Sequence, residues 1–384
     1  MTSPQTDQTP PSQPEEIRAR RASVSPASLR FALERGRRHP RLPRVLILIL
    51  TAALVAIILI SASVGTIPVS PIQAGQLILG HLIPDMSWMS DGSLTTVQDN
   101  AVWQFRLPRT VLAAITGAAL ALAGGLMQAV VHNSLAEPYI LGVSAGAGVG
   151  AVSAIVFGIS ATIGLGFFAF LGALIATAAV YILARKDGRI APQRLVLAGV
   201  ALGSLFSAIT SYLTISTDVK NVPGIMFFLL GSVSAATMSH LIFPAIALAV
   251  IGLFAALRSR ALNALLIGDD AASALGIRVN QLRTTVLIAA ALLTGSVVAV
   301  SGGIGFVGLI IPHIARIVVG ADHRRMLPVA LLAGAVFLAL CDVLARTLAA
   351  PAEIPLGVLT AFVGAPFFLW LLRRDRADKM GVGQ

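Results

Sequence analysis

The feature that most constrains this chain is the length of its uncharged apolar runs. Val45 to Val64 is 20 residues without a charge, about 30 Å as a helix, which matches the hydrocarbon thickness of a bilayer. Tyr139 to Ala184 is 46 residues without a charge, enough for two spans and a turn. One such run fits a buried core helix, but a succession of them requires a membrane. Composition agrees: 56% hydrophobic and 12% charged residues is about half the charge of a soluble globule. Because lipid offers backbone groups no hydrogen bonds, the spans must be helices. The expected fold class is therefore an all-α integral membrane protein, multi-pass in the cell membrane and surrounded by lipid.

Hydropathy predicts ten transmembrane helices, at 45–66, 108–131, 139–159, 161–184, 195–215, 235–257, 284–301, 304–319, 327–346 and 355–372. With both termini cytoplasmic, the inner segments hold 23 of the 28 Lys and Arg residues and the outer segments four. Positive charge is retained on the cytoplasmic side, so this split sets the orientation. The net charge of +11 then reflects topology and predicts no nucleic-acid partner. Residues 1–44 read as a disordered Arg-rich cytoplasmic tail, rich in Pro, Ser and Gln. The tail is too polar for a signal n-region and no small-residue cleavage pattern follows Val64, so the first span is expected to be retained. Residues 45–374 form the helical domain, with an inner loop at 258–283, and 375–384 form a second cytoplasmic tail.

The spans are crowded with small residues, as in GAALALAGG at 117–125 and GVSAGAGVGA at 142–151, which let helices approach closely in lipid. A ten-span chain divides into halves of five, an odd number, so the second half must be inverted. Arg109-Thr110 before GAALALAGG and Arg283-Thr284 before GSVVAVSGG suggest such an inverted internal repeat.

Several chemistries are excluded. None of the three lysines completes a G-x-x-x-x-G-K loop, so the chain has no ATP site of that kind. The six histidines show no paired metal-ligand spacing, and Cys341 has no partner, so neither a metal site nor a disulfide is expected. The acids Asp342 and Glu353 fall near the outer ends of the last two spans. A proton-coupled transporter, the alternative from a different class, needs a titratable group at mid-depth. An intramembrane enzyme would need a paired catalytic constellation.

Between spans six and seven, SRALNALLIGDDAASALGIRVNQLR at 259–283 places Leu262, Leu265, Leu266 and Ala271, Ala274, Leu275 at helical spacing. It reads as a short amphipathic helix pair with a turn at Gly268, where Asp269 and Asp270 complement the dipole of the second helix. Asp270-Ala271-Ala272 followed by Gly276 resembles the E-A-A-x-x-x-G loop of ATP-binding-cassette permeases. Further matching stretches are RLPR at 106–109, GAALALAGGLMQ at 117–128, LAEPYILGVSAGAGVGA at 135–151 and LAGVALG at 197–203. LNALLIGDDAASALGI at 262–277, GFVGLIIPHIARIVVGADHRRMLP at 305–328 and EIPLGVLTAFVGAPFFLWLL at 353–372 extend the match. Together they resemble the iron-siderophore, haem and vitamin B12 permeases of ATP-binding-cassette importers, over about 45–374. Ser134, Gly303 and Phe228 depart from that family's usual Pro, Pro and Trp.

The resemblance implies a ten-helix type II importer permease that is not itself an enzyme and holds no cofactor, ATP being bound by partners. Those partners are a second permease, identical or different, two ATPase subunits and an extracytoplasmic substrate-binding protein. The expected cargo is an iron chelate, a ferric siderophore, with haem or vitamin B12 as alternatives. The resemblance also assigns roles. Arg106, Arg109 and Arg346 would meet acids on the binding protein, and their outer position runs against the positive-inside bias. Gly268, Asp269, Asp270, Ala271, Ala272 and Gly276 would couple to the ATPase, and Pro192 and Gln193 would form a cytoplasmic gate.

Overall fold

The structure is a computed structural model, which describes residues 41–159, 164–186, 189–190 and 192–380. The predicted tail at 1–44 lies outside these residues up to position 40, as do 381–384 of the second tail. The helices are α1 (Leu42–Ser63), α2 (Pro71–Leu82), α3 (Thr96–Asn100), α4 (Leu107–Val131), α5 (Val143–Val156), α6 (Gly164–Ala184) and α7 (Pro192–Ile215). They continue with α8 (Val222–Leu230), α9 (Met238–Leu265), α10 (Asp269–Ala274), α11 (Val279–Ser301), α12 (Val307–Val319), α13 (His323–Thr347) and α14 (Leu356–Met380). A π-helical turn, Ala101–Arg106, joins α3 to α4 without a break. The one pair of strands among the described residues is a two-residue hairpin, Arg185–Lys186 against Arg189–Ile190.

Seven described helices are long and apolar enough to cross a membrane, and four shorter apolar ones accompany them, Val143–Val156, Val219–Leu230, Val307–Val319 and Leu356–Trp370. The bundle is built around α4, which packs on α13, α11, α9, α12 and α1. Of the most apolar 18 residues of the Thr96–Val131 helix 89% are buried, and of those of α11 67%. These are the helices that the proposed sequence repeat relates. Most other long helices expose apolar faces, such as Leu48, Ile182, Val200 and Leu257. Such faces suit contact with acyl chains or another subunit.

Close approach explains the small residues. A Cβ on Gly117 would collide with the Gly334 carbonyl of α13, and one on Gly124 with the Gly308 carbonyl of α12. Gly146 and Gly172 stand in the same relation between α5 and α6. No hydrophobic force drives helices together within lipid, so backbone-level packing is what holds them.

Four expectations are corrected. The segment 259–283 is not a helix pair: Leu262 and Leu265 are buried in the last turn of α9, and only α10 is separate. The stretch between the first two predicted spans, left without an element by hydropathy, is largely helical, since Ser70 and Thr95 each form a capping box that starts a helix. The predicted outer loop after α7 contains the apolar α8. The third span, expected over 139–159, is a helix only over Val143–Val156, and the eighth, already short in the sequence, is a helix over Val307–Val319. A 13-residue helix such as α12 covers only about 20 Å.

Gly117→Val should lose about 3 kcal/mol or more, because backbone at the α4–α13 crossing cannot yield as a side chain would. The check is melting of the detergent-solubilised protein followed by size exclusion. A wild-type melting profile would show that the crossing is loose.

Candidate functional site

At the end of the bundle expected to face outward, the structure gathers Arg106, Arg109 and Arg346. RLPR begins α4, and Arg346 lies in the last turn of α13, which packs along it. All three are buried or nearly so, and all are engaged within the chain. Arg109 donates from Nε to Asp342 Oδ1 and from Nη1 to Glu353 Oε1, both at 2.7 Å. Arg346 lies 3.3 Å from the other oxygen of Asp342, which is fully buried. Arg346 also donates to the Ser61 hydroxyl, itself paired with Thr110. Arg106 donates to the carbonyls of Ala62 at 2.9 Å and Ile67 at 2.7 Å, which fixes the chain where it leaves α1.

The arginines are therefore not free surface charges. Three guanidiniums face two carboxylates, Asp342 and Glu353, leaving one excess positive charge. Arg106 and Arg346 line an open cavity of about 440 Å³ beside Thr66, Asn100 and Phe105. This cavity can receive an acidic group that the internal carboxylates leave unmatched.

At the opposite end, α10 opens at Gly268, which has φ +119°, and closes at Gly276, with φ +78°. Both values lie where glycine carries no Cβ penalty. Ala272 is fully buried, while Asp270, Ser273, Ala274, Leu275 and Gly276 are exposed. Ala271 is half-buried between them. Asp269 is held by both terminal nitrogens of Arg283 at 2.9 Å. Arg283 also donates to His132 Nδ1 at 3.2 Å, and His132 Nε2 donates to the Leu265 carbonyl at 2.8 Å. This pattern requires the Nε2–H tautomer of His132, the left-handed C-cap of α4. A single chain of bonds thus ties α10 to α11, to the central α4 and to the end of α9.

A third feature is the break between α11 and α12. Phe306 carries φ +69°, a rare conformation for a residue with a Cβ. Its N–H donates to Glu137 Oε1 at 2.9 Å, and the N–H of Ile304 donates to Tyr139 Oη at 2.8 Å. The Phe306 ring also fills the place a Cβ on Gly364 of α14 would need. Below the break, Gln128 accepts from Arg316 at 3.1 Å and donates to the Leu309 carbonyl at 3.1 Å.

Pro192 and Gln193 form the first turn of α7, just past the strand Arg189–Ile190, which packs on α11, and Gln193 is exposed. Sequence reasoning missed His132, Glu137 and the pairing of Arg283 with Asp269. Glu137 stood within a matched stretch but showed no signal of burial. His132, one residue past the apolar run of α4, could have been read as a C-cap.

The profile of the FecCD transport family matches residues 52–374. The cobalamin import system permease protein BtuC of Halobacterium salinarum is 38% identical over 348 residues, 83% of this chain and 93% of its own length. The hemin transport system permease protein HmuU of Yersinia pestis is 40% identical over 296 residues, 74% of this chain and 88% of its own. Among solved structures, an inward-facing conformation of a metal-chelate type ABC transporter aligns with TM-score 0.74 at 35% identity. It covers 86% of this chain and 99% of that one.

Removing Asp342 strands Arg346 in a buried place and leaves Arg109 with Glu353 as its one carboxylate. Asp342→Ala should destabilise the protein by about 3–5 kcal/mol, and Asp342→Ala with Arg346→Met should recover part of that loss. Melting temperatures of the two variants read this out. A single variant as stable as wild type would mean that the guanidiniums are solvated without their carboxylate.

Proposed function

The chain belongs to the FecCD transport family and is a multi-pass permease subunit of an ATP-binding-cassette importer, its ATPase lying in partner subunits, and from that premise we propose that its cargo is cobalamin or haem. The reading rests on the relatives named for those two cargoes, which align along most of both chains. A ferric siderophore, the cargo expected from the family resemblance, becomes the second reading. The solved relative of the metal-chelate type favours retaining it.

Counting α5, α12 and α14 with the seven long helices gives the expected ten spans. Both termini and α10 then face the cytoplasm. An inverted repeat is supported by the two related helices, α4 and α11, being the most buried long ones. A second permease completes the pathway, where Pro192 and Gln193 at the start of α7 form the cytoplasmic gate. Two ATPases engage the exposed side of α10, with Gly268 and Gly276 shaping its ends and Asp269, Asp270, Ala271 and Ala272 within it. The Asp269–Arg283–His132 connection would carry displacement of α10 into the central helix. The binding protein docks over the cavity lined by Arg106 and Arg346, while Arg109 holds that cavity's wall through Asp342 and Glu353. An exposed ion pair there contributes about 0–1 kcal/mol, so its value lies in orientation and association rate.

Orientation is checked by thiol labelling in a Cys341→Ser background, with the permease expressed alone. An impermeant reagent should label Ser93→Cys in intact cells and Ser273→Cys only after permeabilisation. Labelling of Ser273→Cys in intact cells would invert the topology.

Cargo and coupling are read together in proteoliposomes containing the permease, its ATPase and its binding protein. ATP should drive uptake of cobalamin or haem in preference to ferric siderophores, and the reverse preference sinks the cargo assignment. Ser273→Trp should abolish uptake with the permease still folded. Arg346→Glu should slow binding-protein association most at low salt. Unchanged uptake and an unchanged association rate would remove α10 and the outer cluster, respectively, from these roles.

A further inference from the structure

A second cavity, of about 730 Å³, lies between the ends of α6, α9 and α11, on the same end of the bundle as α10. Three arginines line it, Arg185 just after α6, Arg258 in α9 and Arg278 just before α11. Gln281, Thr285 and the Tyr181 hydroxyl add polar groups, Tyr181 resting 3.2 Å from Thr284. No carboxylate appears among the described residues of its lining. All three arginines are exposed, and none of them forms an ion pair among the described residues.

The surroundings indicate what an anion here would be attached to. Arg185 lies two residues after Leu183, and Ile182 and Leu183 are 69% and 57% exposed, while Arg258 directly follows Leu257, 73% exposed. Residues 241–257 carry no charge. Both arginines are therefore the first charge beyond an exposed apolar surface, the place that charges at headgroup depth occupy. A soluble acidic partner would have no use for the apolar ridge on either side. An acyl chain would lie along it.

We propose that this cavity binds the phosphodiester headgroup of an anionic phospholipid from the cytoplasmic leaflet, its acyl chains lying along the exposed faces of α6 and α9. Gly276, Ile277 and Arg278, the link from α10 to α11, form one wall of the cavity, so a bound headgroup braces that link. The cytoplasmic assignment rests on the orientation proposed above. Lipid binding itself is measured on solubilised protein and does not depend on orientation, so the two readings fail separately.

The purified full-length permease would be equilibrated with phosphatidylcholine vesicles containing about 20% phosphatidylglycerol, then extracted and examined by native mass spectrometry. Wild type should retain phosphatidylglycerol selectively. Arg258→Gln with Arg278→Gln should bind it about thirtyfold more weakly, while Arg260→Gln, whose arginine is exposed but outside the cavity lining, should match wild type. Replacing both Arg258 and Arg278 by Lys should restore part of the binding, which a misfolded double variant could not do. Equal retention by wild type and the double Gln variant overturns the proposal. Displacement of the lipid by excess inorganic phosphate would assign the site to free phosphate, and displacement by the partner ATPase would assign it to a protein contact. Either result overturns the lipid assignment.

Discussion

The architecture depends on α4 approaching its neighbours at backbone distance. At Gly117 and Gly124 the carbonyls of α13 and α12 occupy the places where side chains would stand. Within a bilayer this contact replaces the apolar burial that organises a soluble core. Once α4 is fixed, its two ends are fixed as well. RLPR is then held against the ends of α1 and α13, and His132 against α9 and α11. The two groups of candidate functional residues are thus the two ends of one rigid rod.

Polar groups inside such a bundle must find partners, and here they find them across long stretches of sequence. Arg109 reaches Asp342 and Glu353, and Arg316 reaches Gln128. Burying an ion pair gives little net stability, but leaving half of one is costly. These pairs therefore act as constraints on which helices can be neighbours, more than as a source of folding energy.

Hydropathy located the seven long apolar helices, because crossing a membrane imposes a length on each. It did not locate α2 or α8, which are short, or the end of α9, because Leu262 and Leu265 look alike whether they finish a span or line a surface helix. Charge placed Arg106, Arg109 and Arg346 at one end of the bundle. It did not show them occupied by Asp342, Glu353 and backbone carbonyls, since those bonds depend on which helices meet. Asp270-Ala271-Ala272 and Gly276 were legible as a short element. Its anchor through Arg283 and His132 was not, because His132 lies more than a hundred residues away in the chain.

The break before α12 has a mechanical consequence. Its two backbone donors, at Ile304 and Phe306, are both taken by side chains from one short stretch, Tyr139 and Glu137. That stretch leads into α5, and the ring of Phe306 bears on α14. A shift of α12 cannot be absorbed at the break without giving up two bonds where water is scarce. The turn ahead of α5 must travel with it, so the joint acts as a rigid elbow that passes motion from one half of the chain to the other.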